Sequence, residues 1–162
     1  MFKIVGIVCV SVSIGMYGLY KAHTIKANIL FRRSLLELLI HIKNCIDTSG
    51  MPLCEIFSSY QNDVLQRAGF LEKLCTGQKD AFETALKECS YSLGEQTGQL
   101  YFELAEELGK SKHKKRETEL LERFILLIRQ KQEALEKDDE AKCVLYSKLG
   151  VLCAILFAII LI

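Results

Sequence analysis

The chain has 162 residues, half of them hydrophobic, with one proline, no tryptophan and a formal net charge of +1. The near-zero charge excludes a typical nucleic-acid-binding domain, which carries a clear basic excess, and the length suits one domain. With a single proline and ten glycines, few positions force a helix to end. The composition therefore predicts an all-α fold.

The first predicted element is an apolar helix at the amino terminus. Residues 4–20 contain no charged side chain, and a helix of this length spans roughly 25 Å, enough to cross the hydrocarbon core of a bilayer. The sequence that follows, KAHTIKANIL, lacks the small-x-small pattern of a signal-peptide cleavage site. We predict a retained transmembrane anchor over residues 1–21.

An amphipathic helix, either continuous with this anchor or separate from it, comes next. Its apolar residues recur at helical spacing and are Phe31, Leu35, Leu38, Leu39, Ile42, Cys45 and Ile46. The turn-forming residues 47–50 end it. A second helix is predicted to begin with Pro52 at its first position and to extend to about Arg67, where Ala68-Gly69 closes it.

Four further helices complete the predicted middle domain, residues 22–143. They cover residues 70–75, a segment from about Asp80, residues 95–108, and a longest helix from Lys112 with Ser111 as candidate N-cap. The predicted inward-facing residues are Ala81, Phe82, Ala85, Leu86, Cys89, Leu100, Tyr101, Leu104, Leu108, Leu120, Leu121, Phe124, Leu127, Ile128 and Leu135. Short loops favour antiparallel neighbours, so we predict a compact antiparallel bundle of five or six helices.

A second apolar segment ends the chain. Residues 149–162 carry no charge, and with residues 144–148 added, where Lys148 can extend toward the interface, the span approaches bilayer thickness. We predict a second transmembrane anchor over residues 144–162. Basic residues flank both anchors on the side of the middle domain, which predicts a cytoplasmic bundle; they are Lys21, Lys26, Arg32, Arg33, Lys142 and Lys148.

No catalytic or metal-binding pattern is present in the sequence. The seven cysteines form no CxxC pair and the three histidines form no HExxH pair, so we predict reduced, scattered thiols, no cofactor and no enzyme activity. Two alternatives stay open. One is a membrane-tethered binding or sensory domain, which needs a pocket with convergent polar groups. The other is a thiol enzyme, which needs a base beside its cysteine; the candidates are Cys45, Cys54, Cys75 and Cys89.

Two features indicate interaction surfaces. Gly150, Ala154 and Ala158 recur every four residues, and Ser11 and Gly15 share that spacing in the first anchor. Such small residues let membrane helices approach closely. Pairing of the two anchors within one chain and pairing with another subunit are both consistent with the pattern.

The second feature is a basic run at the start of the longest helix, where cations oppose the helix dipole. Its members are Lys110, Lys112, Lys114, Lys115 and Arg116. The simplest interpretation is a solvated turn, and the alternatives are docking to an acidic partner surface or to lipid headgroups. The run is the candidate docking surface of the chain.

Three sequence segments resemble the stage III sporulation protein AB family. They are Gly50-Met51-Pro52-Leu53, Leu108-Gly109-Lys110-Ser111, and the run from Tyr146 to Leu152 entering the terminal apolar segment. The resemblance covers the whole chain in order, and the last segment is its most specific part.

The resemblance implies a subunit of the complex that joins mother cell and forespore during endospore formation. Members of the family are similar to the cytoplasmic domains of the type II secretion F inner-membrane platform protein. By that likeness the chain would lie in the outer forespore membrane with its bundle in the mother-cell cytoplasm. The resemblance implies a secretion-type ATPase and other stage III sporulation membrane subunits as partners. The predicted anchors add membrane lipid, and the near-zero net charge predicts no nucleic-acid partner.

Overall fold

The computed structural model describes residues 2–74, 81–108 and 114–161, without the side chains of residues 2–5, 7–9, 114, 157, 158, 160 and 161. In these ranges every regular element is helical, which confirms the predicted all-α class. The elements are α1 (Phe2–Thr48), α2 (Leu53–Ser59), α3 (Asp63–Arg67), α4 (Phe70–Leu74), α5 (Ala81–Glu88), a 3₁₀ turn (Ser90–Ser92), α6 (Glu95–Glu107) and α7 (Lys114–Leu161).

The chain divides into two compact units. The terminal pair comprises residues 1–29 and 135–162, and the bundle comprises residues 30–134. Helices α1 and α7 each contribute to both units. Among the residues that the structure describes, no helix has both the length and the apolarity needed to cross a membrane. The anchors over residues 1–21 and 144–162 stay predictions.

The bundle core is built on the part of α1 that carries the predicted apolar stripe. Leu35, Leu38, Leu39 and Ile42 are completely buried, while Cys45 is only partly buried. Residues at this spacing lie on one face of a helix. That face packs against α2 to α7 through a single cluster of apolar side chains, as the sequence predicted.

Aromatic side chains tie the short helices to α1. Phe70 on α4 makes edge contacts with Phe31 on α1 and Phe82 on α5, each at 6.0 Å between ring centroids. Phe57 on α2 stacks on Phe82 at 6.3 Å. Edge and offset geometries are favoured between aromatic rings and add to the stabilisation from burial. Three short helices and α1 are thereby held in one core.

Helix α1 ends where the sequence predicts. The N–H of Gly50 donates to the carbonyl oxygens of Cys45 and Ile46 at 3.1 and 3.2 Å, and Gly50 adopts a φ of 63°. A left-handed residue in this place satisfies carbonyls that the last helical turn leaves open, and glycine adopts it without steric cost. The chain can then turn back toward α2.

The single helix predicted from Pro52 to Arg67 is wrong, because the structure contains two helices there. Pro52 precedes α2 as its N-cap, with extended backbone, and is not its first helical residue. Asn62 is also extended, and its side-chain oxygen accepts from the N–H groups of Val64 and Leu65 at 3.0 and 3.1 Å. An asparagine side chain can accept hydrogen bonds from the backbone N–H groups that follow it, in place of helical carbonyls. The helix therefore does not continue through Asn62, and α3 begins there as a separate helix.

The later helices follow their predicted faces except at Leu127 and Leu135 of α7. Leu135 is only partly buried, and it belongs to the terminal pair and not to the bundle core. The predicted inward residues of α5 are all buried, as are Tyr101 and Leu104 of α6. On α7 the buried face runs through Leu121 and Ile128 and includes Ile125, whereas Leu127 is 37% exposed. Leu127 lies two residues beyond Ile125, on nearly the opposite side of the helix, so its assignment to the stripe is wrong. Cys75, Gly109 and Ser111 fall outside the described residues.

Two ion pairs between helices of the bundle lie near its surface. Lys43 on α1 pairs with Glu122 on α7 at 3.1 Å, and Lys73 on α4 pairs with Glu88 on α5. Exposed pairs of this kind contribute about 0–1 kcal/mol each. A fully buried leucine contributes roughly 1.5–3 kcal/mol, so apolar burial dominates the stability of the bundle.

Candidate helix-packing site

Two glycines bring the backbones of α1 and α7 close together in the terminal pair. A Cβ built on Gly18 would lie 2.8 Å from the Cα of Gly150 and 2.8 Å from the carbonyl oxygen of Tyr146. A Cβ on Gly150 would lie 3.0 Å from the Cα of Gly18. Because the obstructing atoms are backbone, neither position accepts a side chain unless the helices separate. The two backbones are therefore in direct contact.

The predicted small residues continue this contact by one helical turn. A Cβ on Gly15 would lie 3.5 Å from the Cβ of Ala154, which is an ordinary van der Waals distance. Gly15 and Gly18 are three residues apart on α1, and Gly150 and Ala154 are four apart on α7, so each pair shares a helix face. Spacing of this kind allows close helix crossings. The structure thus brings Gly15, Gly150 and Ala154 together within one chain.

Gly18 is the residue of this site that the sequence analysis did not identify. The sequence does indicate Gly18, because it lies three residues after Gly15 and therefore near the same helix face. It does not fit the four-residue spacing by which the other small residues were identified. Ser11, at the other end of the α1 face, is 8% exposed. The side chain of Ala158 lies outside the described residues. Whether these residues also contact another subunit stays a prediction.

Helix α7 also contacts α1 farther from the chain ends. Cys143 is buried, and its thiol donates a hydrogen bond to the carbonyl oxygen of Ala22 at 3.5 Å. Sulfur makes weak hydrogen bonds at such distances. The helix pair is therefore packed from Gly15 to Ala22 on α1, through small residues and one thiol.

An open groove of about 390 Å³ lies beside the Gly15–Ala154 contact. None of its lining side chains is charged, and one of them, Ser11, bears a hydroxyl group. The lining residues are Ser11, Val12, Gly15, Met16, Leu19, Val151, Ala154 and Ile155. Two small residues form part of this lining, so the groove is shaped by the same residues that pack the helix pair.

The outer surface of the terminal pair carries large apolar side chains. Single exposed apolar residues are common in proteins, but a contiguous set indicates an interaction or membrane surface. Those exposed by more than two fifths are Val10, Val12, Met16, Tyr17, Leu19, Tyr20, Val144, Leu145, Tyr146, Leu149, Val151, Leu152, Ile155, Leu156 and Ile159.

The basic docking surface is only partly described by the structure. Lys110 and Lys112 fall outside the described residues, as does the side chain of Lys114. Lys115 and Arg116 are exposed in the first turn of α7. Exposed cations attract an acidic surface over a distance and can steer it toward the helix start. These two residues remain a candidate docking surface.

A thiol–imidazole pair is the second arrangement that sequence analysis missed. The Sγ of Cys45 lies 3.4 Å from Nε2 of His41, within hydrogen-bonding distance for sulfur. The ring of Tyr60 packs on that of His41 at 5.0 Å between centroids. The signal was the four-residue separation of His41 and Cys45, which places both on one helix face. The pair supplies the base that a thiol enzyme would need at Cys45.

The other ionisable groups of the bundle interior have the environment of structural residues. Burial raises the pKa of the Cys89 thiol, and nearby Lys73 partly opposes the rise. Burial likewise raises the pKa of Tyr60, against the effect of its hydrogen bond with Asn62. Among the described residues, no three histidine, cysteine, aspartate or glutamate side chains are grouped as metal ligands. A raised thiol pKa disfavours the reactive thiolate.

A buried polar group in the bundle has an unusual environment. The hydroxyl of Tyr101 is fully buried and, among the described residues, has no hydrogen-bond partner. Burial raises its pKa far above the ordinary value, although the positive charge of nearby Arg32 lowers it somewhat. Arg32 is itself buried and donates from Nη1 to the carbonyl oxygen of Ser92 at 3.4 Å. Tyr101 is thus a neutral part of the core.

Comparison with known proteins identifies a family. The family described as stage III sporulation protein AB matches residues 3–162, nearly the whole chain. Searches of the curated proteins and of the solved structures found no match.

Proposed function

Because the chain belongs to the stage III sporulation protein AB family, we propose that it is a non-enzymatic membrane component of the secretion-like channel complex between mother cell and forespore. In this role it links a cytoplasmic ATPase to membrane subunits. The observation that carries the sporulation part of the proposal is the family match over residues 3–162. The platform role is an extension of that membership.

The proposed membrane insertion is supported by the surface of the terminal pair. Residues 4–20 and 149–162 contain no charged side chain, and large apolar residues such as Met16 and Leu156 are 65% and 55% exposed. Exposing such surface to water is unfavourable by roughly 25 cal/mol per Å², whereas lipid removes that cost. We place both helices in the outer forespore membrane, as a two-pass arrangement.

The proposed orientation follows the basic residues. The basic residues that flank the two apolar segments lie between these segments in the sequence, where the bundle is. Positive residues favour the cytoplasmic side of a membrane. The bundle would then lie in the mother-cell cytoplasm. There Lys115 and Arg116, both exposed, are available to an acidic surface of the ATPase or of another stage III subunit.

The proposed lack of catalysis rests on the sequence, which contains no catalytic or metal-binding pattern. The largest completely buried side chains include Tyr101, Phe70, Leu35 and Ile56, which fill the interior as in a structural domain. A scaffold acts through its surfaces, so no cofactor is invoked. The alternative of a tethered sensory domain would need a ligand pocket inside this bundle.

The experiment that tests the proposal combines a deletion with a topology measurement. Deleting the gene in a spore-forming host should abolish heat-resistant spores, and the full-length gene should restore them. Membranes from sporulating cells should retain the chain after carbonate washing. Trypsin should cleave beside Lys115 and Arg116 in inverted vesicles only. Normal spore yield in the deletion strain, or recovery of the chain in the carbonate wash, would contradict the proposal.

A further inference from the structure

Three of the six tyrosines of the chain lie at one level of the terminal pair. The carbonyl oxygen of Tyr146 is next to Gly18, at 2.8 Å from the position that a Cβ on Gly18 would take. Tyr17 and Tyr20 lie one and two residues from Gly18 on α1, within about 3 Å along the helix axis. All three tyrosine side chains are exposed. Their rings therefore lie in one narrow layer on the surface of the helix pair.

Two lysines belong to the same layer. Lys21 on α1 and Lys148 on α7 each lie within two residues of one of these tyrosines, and both lysines are exposed. Residues 1–36 and 141–162 contain no aspartate or glutamate. The layer therefore carries positive charge and holds no carboxylate.

The sign of the charge changes on the side of the layer that faces away from the chain ends. There α7 carries Asp138, Asp139 and Glu140, and Lys142 lies 3.9 Å from Asp139. Glu140 is eight residues before Lys148, which is about 12 Å along the axis of a helix. The positive layer is therefore narrow, and it separates the uncharged ends of both helices from an acidic stretch.

This order of side chains matches the order of layers in a lipid leaflet. Tyrosine favours the boundary between acyl chains and headgroups, and lysine extends its ammonium group outward to the phosphates. The headgroup region is roughly 5–8 Å deep on each side of a bilayer, and the axial distance from Tyr17 to Lys21 is about 6 Å. The uncharged residues 4–16 would then lie in the hydrocarbon core.

We propose that this tyrosine–lysine layer, made by Tyr17, Tyr20, Lys21, Tyr146 and Lys148, binds the headgroups of anionic phospholipids and fixes the depth of the terminal pair in the membrane. The proposal rests on the membrane role proposed above and adds the lipid class that the chain selects. Charge complementarity favours anionic lipid, because a zwitterionic headgroup has no net charge to attract the lysines. An acidic protein surface would match the lysines but not the tyrosine rings beside them.

The test uses tryptophan as a reporter, because the chain contains none. Full-length Tyr20→Trp is reconstituted into vesicles of equal parts phosphatidylglycerol and phosphatidylcholine. One of the two lipids carries bromine atoms on its acyl chains, which quench a neighbouring tryptophan. The ratio of quenching by brominated phosphatidylglycerol to quenching by brominated phosphatidylcholine measures which lipid adjoins the reporter. The matched reporter is Leu156→Trp, which is also exposed and lies ten residues beyond Tyr146, about 15 Å deeper.

The first expected result concerns depth. Bromines close to the headgroup should quench the Tyr20→Trp reporter more strongly than bromines near the end of the acyl chain. The order should be reversed for the Leu156→Trp reporter, because that position lies well inside the proposed hydrocarbon region.

The second expected result concerns lipid class. At the Tyr20→Trp reporter, phosphatidylglycerol should be favoured about fivefold, the effect of one lysine at an anionic surface. High salt should reduce the preference, because it screens exposed charges. Lys21→Gln together with Lys148→Gln should bring the quenching ratio close to one. Lys131→Gln together with Lys137→Gln should leave it unchanged, because these exposed lysines of α7 lie outside the layer.

Two results would overturn the inference alone, provided that the Leu156→Trp reporter is quenched and the chain is thus inserted. One is equal quenching by the two lipids, or a preference that survives the loss of Lys21 and Lys148. The other is stronger quenching of the Tyr20→Trp reporter by the deeper bromines. If neither reporter is quenched, the chain is not inserted, which refutes the proposed membrane role and this inference with it. The four exchanged lysines are exposed, and circular dichroism verifies that each variant keeps its helices.

Discussion

Helices α1 and α7 pack by opposite rules in the two units of the molecule. In the bundle, the face of α1 that contacts other helices carries Leu35, Leu39 and Ile42, all completely buried. In the terminal pair, Gly18 and Gly150 make a backbone contact, and most of the large apolar side chains that the structure describes there are exposed. One helix thus changes from large residues inward to small residues inward along its length.

The difference shows which force stabilises each unit. Burial of apolar side chains from water stabilises the bundle by roughly 1.5–3 kcal/mol for each large residue. The terminal pair buries little such surface, so close backbone packing has to hold it together. Close backbone packing of the terminal pair suits apolar surroundings, which match the apolar outer surface of the pair. Substitutions at matched positions in the two units therefore test the comparison.

The largest effect is expected in the bundle from Phe70→Ala. Phe70 is completely buried and makes edge contacts with Phe31 and Phe82, so its removal leaves a cavity where α1, α4 and α5 meet. The free energy of unfolding should fall by about 3–5 kcal/mol. Denaturant unfolding of the full chain in detergent micelles, followed by circular dichroism, measures the change.

The control for this prediction is Leu126→Ala. Leu126 is 55% exposed on α7, and exposed substitutions usually change stability by about 0.5 kcal/mol or less. Equal losses for the two variants would mean that the bundle is not stabilised by the core that contains Phe70.

A smaller loss is expected in the terminal pair from Gly18→Ala. The added Cβ would meet backbone atoms at 2.8 Å, so α1 and α7 must separate, at about 1–3 kcal/mol. Cys143, buried against Ala22, should then react faster with N-ethylmaleimide in chains whose other cysteines are replaced. The matched control is Gly6→Ala on the same helix, because a Cβ there meets nothing within 4 Å. Equal reaction rates for the two variants would refute the Gly18–Gly150 crossing.

Helix periodicity predicted most of the fold, because core positions such as Leu38 and Ala85 follow from a spacing that any amphipathic helix shows. The division of the second helix at Asn62 was not predicted, since it depends on a side chain binding the backbone locally, which apolar spacing does not reveal. Likewise, the contact of Gly18 with Gly150 depends on which helix faces meet. The contact of His41 with Cys45 lies within α1, and their four-residue spacing indicates it. A single sequence shows the faces but not their partners.

A stabilising effect is expected from Tyr101→Phe. The Tyr101 hydroxyl is buried and unpartnered among the described residues, so its removal should raise the free energy of unfolding by about 1 kcal/mol. The control is Tyr91→Phe, because Tyr91 is 78% exposed and the change should be silent. A loss of stability in Tyr101→Phe would show that the hydroxyl is satisfied within the fold.

The same tyrosine predicts an alkaline limit to the stability of the bundle. Burial raises the pKa of Tyr101 above its ordinary value of 10.0. Below pH 10 Tyr101 is neutral in both the folded and the unfolded chain, so its ionisation takes nothing from the free energy of unfolding. As pH rises beyond 10, the unfolded chain releases this proton first, so the free energy of unfolding falls. Denaturant unfolding at pH 9 and 11 should show a smaller fall in Tyr101→Phe, which lacks this group.

The smallest effect is expected at the thiol–imidazole pair. Cys45→Ser keeps a hydrogen-bonding group near Nε2 of His41, which lies 3.4 Å from the native Sγ, and Cys45 is only partly buried. If helix packing is the whole role of this part of α1, the titre of heat-resistant spores should match that of Cys54→Ser, a change at an exposed thiol. A thiol nucleophile would behave differently, because serine is a far weaker nucleophile near neutral pH. Loss of spores in both Cys45→Ser and His41→Gln, with wild-type circular dichroism and a silent Cys54→Ser, would show that the bundle carries chemistry as well as surfaces.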